Sequence, residues 1–560
     1  MFIPWLARIG NWNAQLFREL KGRLKFRSVL GVVVLVGLGQ AVVMGLFASA
    51  LPDNGTVTLY CDIDPDTYEC LLNDQGTMIV LWQTWWQDIL HFLNWVVMLL
   101  LTMPGVYLLA QDIEREEDKG TLNFIRLSPQ SARSVLLGKL LGVPILFYIA
   151  IALLLPLHLV AAHGAEAPGD FLLSFYLLFG AGSVFILSVA MLFGFLSKMQ
   201  TLTGGARMGS GVALLMVIAN TALFVPSYFI WNLATSWNYY LPFLIEDQVP
   251  QPSQLRWFFL NIGGIPILGH GFTLINLGIL TGLIWQAMER CYSSPGKTLL
   301  SKSHSYGVVI YLEVLALGFC IDPWNTSETL QTSQFMALSV LNFGLMLGAI
   351  ALFCNHRQTL LDWARFRHLQ FHKNQGQAGQ RQGRSLLSDL LWGEKSPASM
   401  AIALNLLLIA GFMAVWMLFN SRLTEPNLHL AGMALSQVFC LLTLALYGAI
   451  AQLLLLIKNP RRILVALCMI SVLTLLPIMV GNALRDYGLA TSGLRWLVLF
   501  SPVPLPFVFE EAWFVSMGTV LGGLVAHVSL LSILHLQLAR QLKRLGASSS
   551  QMLLQSVRQG

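Results

Sequence analysis

Apolar runs of about 20 residues recur along this 560-residue chain, and each is long enough to cross the hydrocarbon core of a bilayer. They are legible near 29–50, 88–110, 140–160, 171–196, 209–230 and 260–287, then near 305–321, 333–354, 398–419, 431–457, 463–481 and 512–538. The run at 305–321 is short, and 496–509 is ambiguous. The pattern predicts an all-α, polytopic membrane protein of about 12 transmembrane helices. Charged residues make up only 11% of the chain, against about 25% in an ordinary soluble protein, and no stretch remains for a soluble catalytic domain.

The placement of the basic residues orients the spans. With the N-terminus inside, the outer loops 51–87, 161–170 and 322–332 contain no Lys or Arg. The other outer loops hold only Arg256, Arg422, Arg485 and Arg495, and the remaining basic residues fall inside. The expectation is a multi-pass protein of the inner (plasma) membrane with both termini cytoplasmic. Residues 11–27 place Leu16, Leu20 and Leu24 on one helical face and Arg18, Lys21 and Lys25 on another, which suits an amphipathic helix in the cytoplasmic interface. This basic stretch precedes the first apolar run, unlike the order in a cleaved signal peptide, so the first span is expected to be retained.

The spans fall into two series. Ser128-Pro129-Gln130-Ser131 precedes the third span and Ser396-Pro397-Ala398-Ser399 the ninth, about 268 residues later. Such internal symmetry suits a duplicated transporter scaffold. The expected organisation is an interfacial helix at 1–28, a six-span half at 29–290, an inner linker at 291–304, a second six-span half at 305–540 with an inner loop at 355–397, and a tail at 541–560. Each half also carries a Pro- and aromatic-rich outer segment before its last span, with Pro242, Pro250 and Pro252 in the first and Pro502, Pro504 and Pro506 in the second. Both read as short helices dipping into the outer leaflet.

One inner segment, 111–139, carries a dense island of charge that lipid would not tolerate: Asp112, Glu114, Arg115, Glu116, Glu117, Asp118 and Lys119. It continues through Gly120-Thr121-Leu122-Asn123-Phe124-Ile125-Arg126-Leu127-Ser128-Pro129 and ends at Leu136-Leu137-Gly138-Lys139-Leu140. This stretch resembles ABC transporter permeases of the second exporter type, which carry E-R-E-x-G-T-L-E-x-L-x-x-S/T-P after the second span and L-L-x-G-K-x-L entering the third. The likeness is local, about 30 residues, and the span plan extends it over the first half. The second half lacks the acidic run. The resemblance implies a coupling helix docked on a separate ATPase subunit at the cytoplasmic face. Glu114, Arg115, Glu116, Glu117, Gly120, Thr121, Leu122, Phe124, Leu127, Ser128 and Pro129 would form that docking segment. In physical terms Gly120 can end the charged extension of the second span, Thr121 or Ser128 can cap a short helix, and Pro129 suits a first turn.

The function implied is the membrane subunit of an ATP-driven transporter, with an exporter favoured. The alternative is a non-transporting membrane scaffold or assembly factor of the same fold. Partners would be the ATPase and membrane lipid. The basic inner loop 355–397 suits anionic lipid better than nucleic acid.

No catalytic, cofactor or metal motif is legible. Gly296-Lys297-Thr298 ends like a P-loop, but Cys291 stands where that loop needs its first glycine. Glu313 lies inside an apolar span and is the intramembrane polar candidate, costly there unless paired or hydrated. His270 and His527 are cheaper, since one hydrogen bond can satisfy a neutral imidazole. The acidic first outer loop contains Cys61 and Cys70, which an oxidising compartment would allow to bond. Asp62, Asp64 and Asp66 lack the glycine and distal glutamate of a calcium loop.

Overall fold

The computed structural model describes residues 3–52, 58–63, 69–73, 78–201, 256–294, 298, 300–321, 328–353, 357–376, 386–421, 428–459, 462–486, 495–503 and 517–546. The predicted span 209–230, the outer segment up to residue 255, Pro504, Pro506 and the end of the tail lie outside them. Among the described residues the chain is all-helical, with isolated β-bridges as its sole strand pairing. Among the described residues ten helices are long and apolar enough to cross a membrane, and a further helix contains the shorter apolar stretch Val465–Gly481. The protein is an all-helical, multi-pass membrane protein.

The chain divides into two compact units, Met1–Thr201 with Ala206–Leu255 and Asn261–Pro295, and Gly296–Gly560 with Leu202–Gly205 and Arg256–Leu260. The first contains α1 (Ile3–Trp12), α2 (Ala14–Arg23), α3 (Phe26–Ser49), α4 (Trp82–Asp118), α5 (Thr121–Arg126), α6 (Ala132–Gly142), α7 (Ile145–Gly164), α8 (Phe171–Thr201) and α9 (Pro266–Ser293). Helix α4 has 37 residues and so rises about 55 Å, well beyond the ~30 Å apolar core. Its charged end therefore projects from the membrane as a continuation of the span.

The third predicted span is broken. Its helix stops at Gly142 and restarts at Ile145, because Pro144 has no N–H to continue the ladder. Tyr148 Oη crosses the break to donate to Leu140 O at 3.1 Å. Deeper in this unit, His158 is fully buried and bonds Asn94 Oδ1 at 2.9 Å and Tyr176 Oη at 2.8 Å. That satisfied network ties α7 to α4 and α8. Outside the spans, Cys61 and Cys70 form a disulfide with Cα atoms 5.5 Å apart, and Tyr60 Oη donates to Asp88 Oδ2 at 3.0 Å.

The second unit contains α10 (Lys302–Cys320), α11 (Glu328–Phe353), α12 (Arg357–Gly376), α13 (Leu386–Trp392), α14 (Ser399–Ser421), α15 (Leu428–Leu456), α16 (Arg462–Asp486), α17 (Arg495–Val498) and α18 (Met517–Gly546). Its largest core lies among α10, α11, α14 and α15, where Val309, Phe335, Ile409, Trp416 and Leu444 pack together. A second cluster joins Leu360 of α12 to Leu456, Leu538 and Leu542.

Candidate functional site: a clamped helical platform at the charged island

The sequence reading placed α2 in the lipid interface by its apolar face. The structure covers that face with protein instead. Leu16 and Leu20 are buried against α6. The approach is close because α6 presents glycine there: a Cβ on Gly138 would stand 2.7 Å from Leu16 N, and one on Gly142 would meet the Glu19 side chain. Asn13 separates α1 from α2 and fixes the entry. Its Oδ1 accepts from Leu16 N at 2.9 Å, and its Nδ2 donates to Ser134 O at 2.7 Å.

Charge closes the same interface. Lys139 on α6 is 1% exposed, with its Nζ 2.5 Å from Asp112 Oδ2, 2.8 Å from Glu116 Oε2 and 4.0 Å from Glu19 Oε1. Arg23 reaches Asp112 Oδ1 at 3.1 Å, and Arg18 pairs with Glu116. Three carboxylates from two helices thus surround one ammonium. Glu19, Asp112 and Glu116 stand close enough together to ligate a metal ion, but the Lys139 ammonium takes the cation's place among them. A buried amine in an acidic cage is satisfied only while its partners stay put, so the cage fixes α2 against the projecting end of α4.

The segment expected to dock a partner is therefore divided in two. Glu116 faces inward to the cage, Glu114 is 9% exposed, and Glu117 is buried and accepts from Arg126 Nη2 at 2.6 Å. Arg126 also lies over the Tyr292 ring of α9, 5.4 Å from its centroid. Leu122 is 1% exposed and belongs to the platform's own packing. The outward members are Arg115, Asp118, Lys119, Thr121, Phe124, Leu127 and Pro129. Phe124 and Leu127 are 79% and 85% exposed.

Local geometry explains this display. Gly120 takes φ +71°, a left-handed conformation that L side chains rarely adopt, and so turns the chain from α4 into α5. The expected side-chain caps are placed differently. Thr121 Oγ1 donates back to Glu116 O at 3.1 Å, and Ser128 Oγ donates to Ile125 O at 2.6 Å, closing the end of α5. The capping hydroxyl is Ser131, which accepts from Ser134 N at the start of α6. Pro129 sits between the two helices and in neither.

No family model, curated protein or solved structure matches the chain. The functional reading rests on its own residues.

The second unit holds a shorter platform of its own. Lys302 is buried and donates to Leu390 O at 2.7 Å, Ser396 Oγ at 2.6 Å and Pro397 O at 2.9 Å. Tyr306 Oη donates to Leu391 O, and Trp363 Nε1 to Asp389 Oδ2. These bonds hold α13 in place with Leu386, Leu387 and Trp392 exposed.

The remaining candidates separate clearly. His527 is buried against Phe500, bonds Thr443 and the Gly523 carbonyl, and has no tie to Glu313. His270 meets Ser174. Glu313 is fully buried in α10, and neither carboxylate oxygen has a hydrogen-bond partner among the described residues. Sequence reasoning missed Lys139, Gly138, Asn13 and Lys302. The Gly-Lys pair at 138–139 was visible as a motif, but its partners on α2 lie more than a hundred residues away.

Proposed function

We propose that this chain is the membrane subunit of an ATP-driven transporter, an exporter of the ABC type, with α5 as the element on which a separate cytoplasmic ATPase pushes. In this reading it has twelve spans in two six-span halves, lies in the inner membrane, and keeps both termini in the cytoplasm. The observation that carries the proposal is the outward display of Phe124 and Leu127 on a short helix held by a charge-locked platform. A lever needs an apolar contact for its partner and a rigid joint to the spans behind it, and this segment has both. The charges of Arg115, Asp118 and Lys119 beside the contact would set its register. In the second half α13 offers Leu386, Leu387 and Trp392 just before Ser396-Pro397, the place that α5 takes before Ser128-Pro129.

The test is co-purification of the full chain with its ATPase. Phe124→Asp and Leu127→Asp should abolish the association while the membrane subunit still folds. Retention of the partner by both variants would sink the assignment. An ATPase that stays bound but is never stimulated by any substrate on reconstitution would favour the scaffold alternative.

A further inference from the structure

The first unit pairs its deeply buried intramembrane histidine on both ring nitrogens, as His158 with Asn94 and Tyr176 shows. Three buried polar groups in the core of the second unit are not paired in this way. Glu313 exposes none of its surface, Asn342 of α11 exposes 2% and Ser339 exposes 4%. Neither Glu313 oxygen, neither Asn342 amide atom and not the Ser339 hydroxyl has a hydrogen-bond partner among the described residues.

Helix register brings Glu313 and Asn342 to one depth. Trp416 of α14 donates to Cys320 O at 3.2 Å and stacks on Phe335, with ring centroids 6.0 Å apart, so these three positions mark one level. Farther down, Val309 and Ala349 line the same cleft of about 380 Å³, so α10 and α11 run antiparallel. Glu313 precedes Cys320 by seven residues and Asn342 follows Phe335 by seven, so each lies about 10 Å below that level. Ser339 lies one turn above Asn342. Val309 and Leu317 flank Glu313 on its helical stripe, Phe335 and Met346 flank Asn342 on its own, and all four belong to one core cluster. At the same depth α14 contributes only apolar side chains, Ile409 and Met413.

We propose that Glu313, Asn342 and Ser339 form an intramembrane binding site for one monovalent cation, Na⁺. Two carboxylate oxygens, an amide oxygen and a hydroxyl are hard donors of the kind such an ion takes. The site offers one ionisable carboxyl in an apolar core, so a monovalent ion that replaces its proton leaves the site neutral and a divalent ion leaves it charged. Glu313 lies midway along its span, the depth at which transporters commonly hold coupling ions. The inference rests on the second unit's core alone and is independent of the ATPase partner.

The experiment measures binding of radioactive sodium to the full-length protein in lipid nanodiscs, with choline chloride holding ionic strength constant, alongside thermal unfolding in NaCl and in choline chloride. Saturable binding of one ion and Na⁺-dependent stabilisation are expected. Glu313→Gln and Asn342→Leu should each weaken binding by about 10-fold or more, and Ser339→Ala by less. Thr443→Val, at a hydroxyl bonded to His527, should leave it unchanged. Glu313→Gln should also be at least as stable as the parent in choline chloride, since it replaces an unpartnered, ionisable carboxyl by a neutral amide of the same shape. No sodium response in the parent protein would overturn the proposal, and that measurement decides even if a variant fails to fold. Binding unaffected by Glu313→Gln, or stabilisation by acid without any response to Na⁺, would overturn it as well.

Discussion

Lys139 Nζ stands 2.5 Å from Asp112 Oδ2, and this pair joins the entry of the third span to the projecting end of the second. Glu116 and Glu19 complete the cage, while Arg18 and Arg23 bind its outer side. Asp112 and Glu116 of the acidic island that looked like a partner surface hold the molecule's own N-terminal helix instead.

Lys139→Met should therefore cost about 3 kcal/mol or more, because it leaves partly buried carboxylates without their common counter-ion. Thermal unfolding of the purified protein measures this. Combining it with Asp112→Asn and Glu116→Gln should recover part of the loss, and a triple variant no better than the single one would refute the cage.

Gly138→Ala places a Cβ within 2.7 Å of the Leu16 backbone nitrogen, closer than real contacts allow. We expect a destabilisation of about 1–3 kcal/mol, with α2 released from α6. Faster proteolysis within residues 1–25, with the later spans unaffected, would report that release.

Leu122 and Phe124 are two residues apart and should behave oppositely. Leu122→Ala empties a buried position and should cost about 2–5 kcal/mol. Phe124→Ala touches an exposed side chain and should shift stability by no more than about 0.5 kcal/mol. Equal effects on the melting temperature would contradict the orientation of α5.

In the loop before α4, burial and the bond to Asp88 push the Tyr60 phenol up to about 12. Because its folded-state value is raised, its stabilising contribution is complete below the ordinary phenol value and is lost as the pH climbs from about 10 to about 12. Tyr60→Phe should lower stability by about 1 kcal/mol at neutral pH and flatten that alkaline decline. An unchanged alkaline profile in the variant would count against the bond.

Lys302→Met should free α13, since one ammonium serves three oxygens there. Increased cleavage between residues 377 and 397 is the expected readout. Unaltered protection would mean that the Tyr306 and Trp363 bonds suffice.

Much of the architecture was legible before any coordinates. Membrane spans declare themselves because backbone polar groups in lipid must bond within one segment, so each helix needs its own unbroken apolar run. Gly120 was readable as a helix end for a local reason, its freedom to take positive φ. The break at Pro144 and the burial of α2 were not read. A proline near a span boundary can equally be a kink or a first turn, and an amphipathic face looks the same whether lipid or protein covers it.

By itself, the sequence determined the membrane class, most of the spans and the existence of a charged island between two of them. Only the tertiary structure decided which of that island's residues face inward, that Lys139 is its centre, and that Glu313 shares its depth with Asn342. Spans depend on local composition, and these relationships depend on which helices meet, which is set by contacts among residues far apart in the chain.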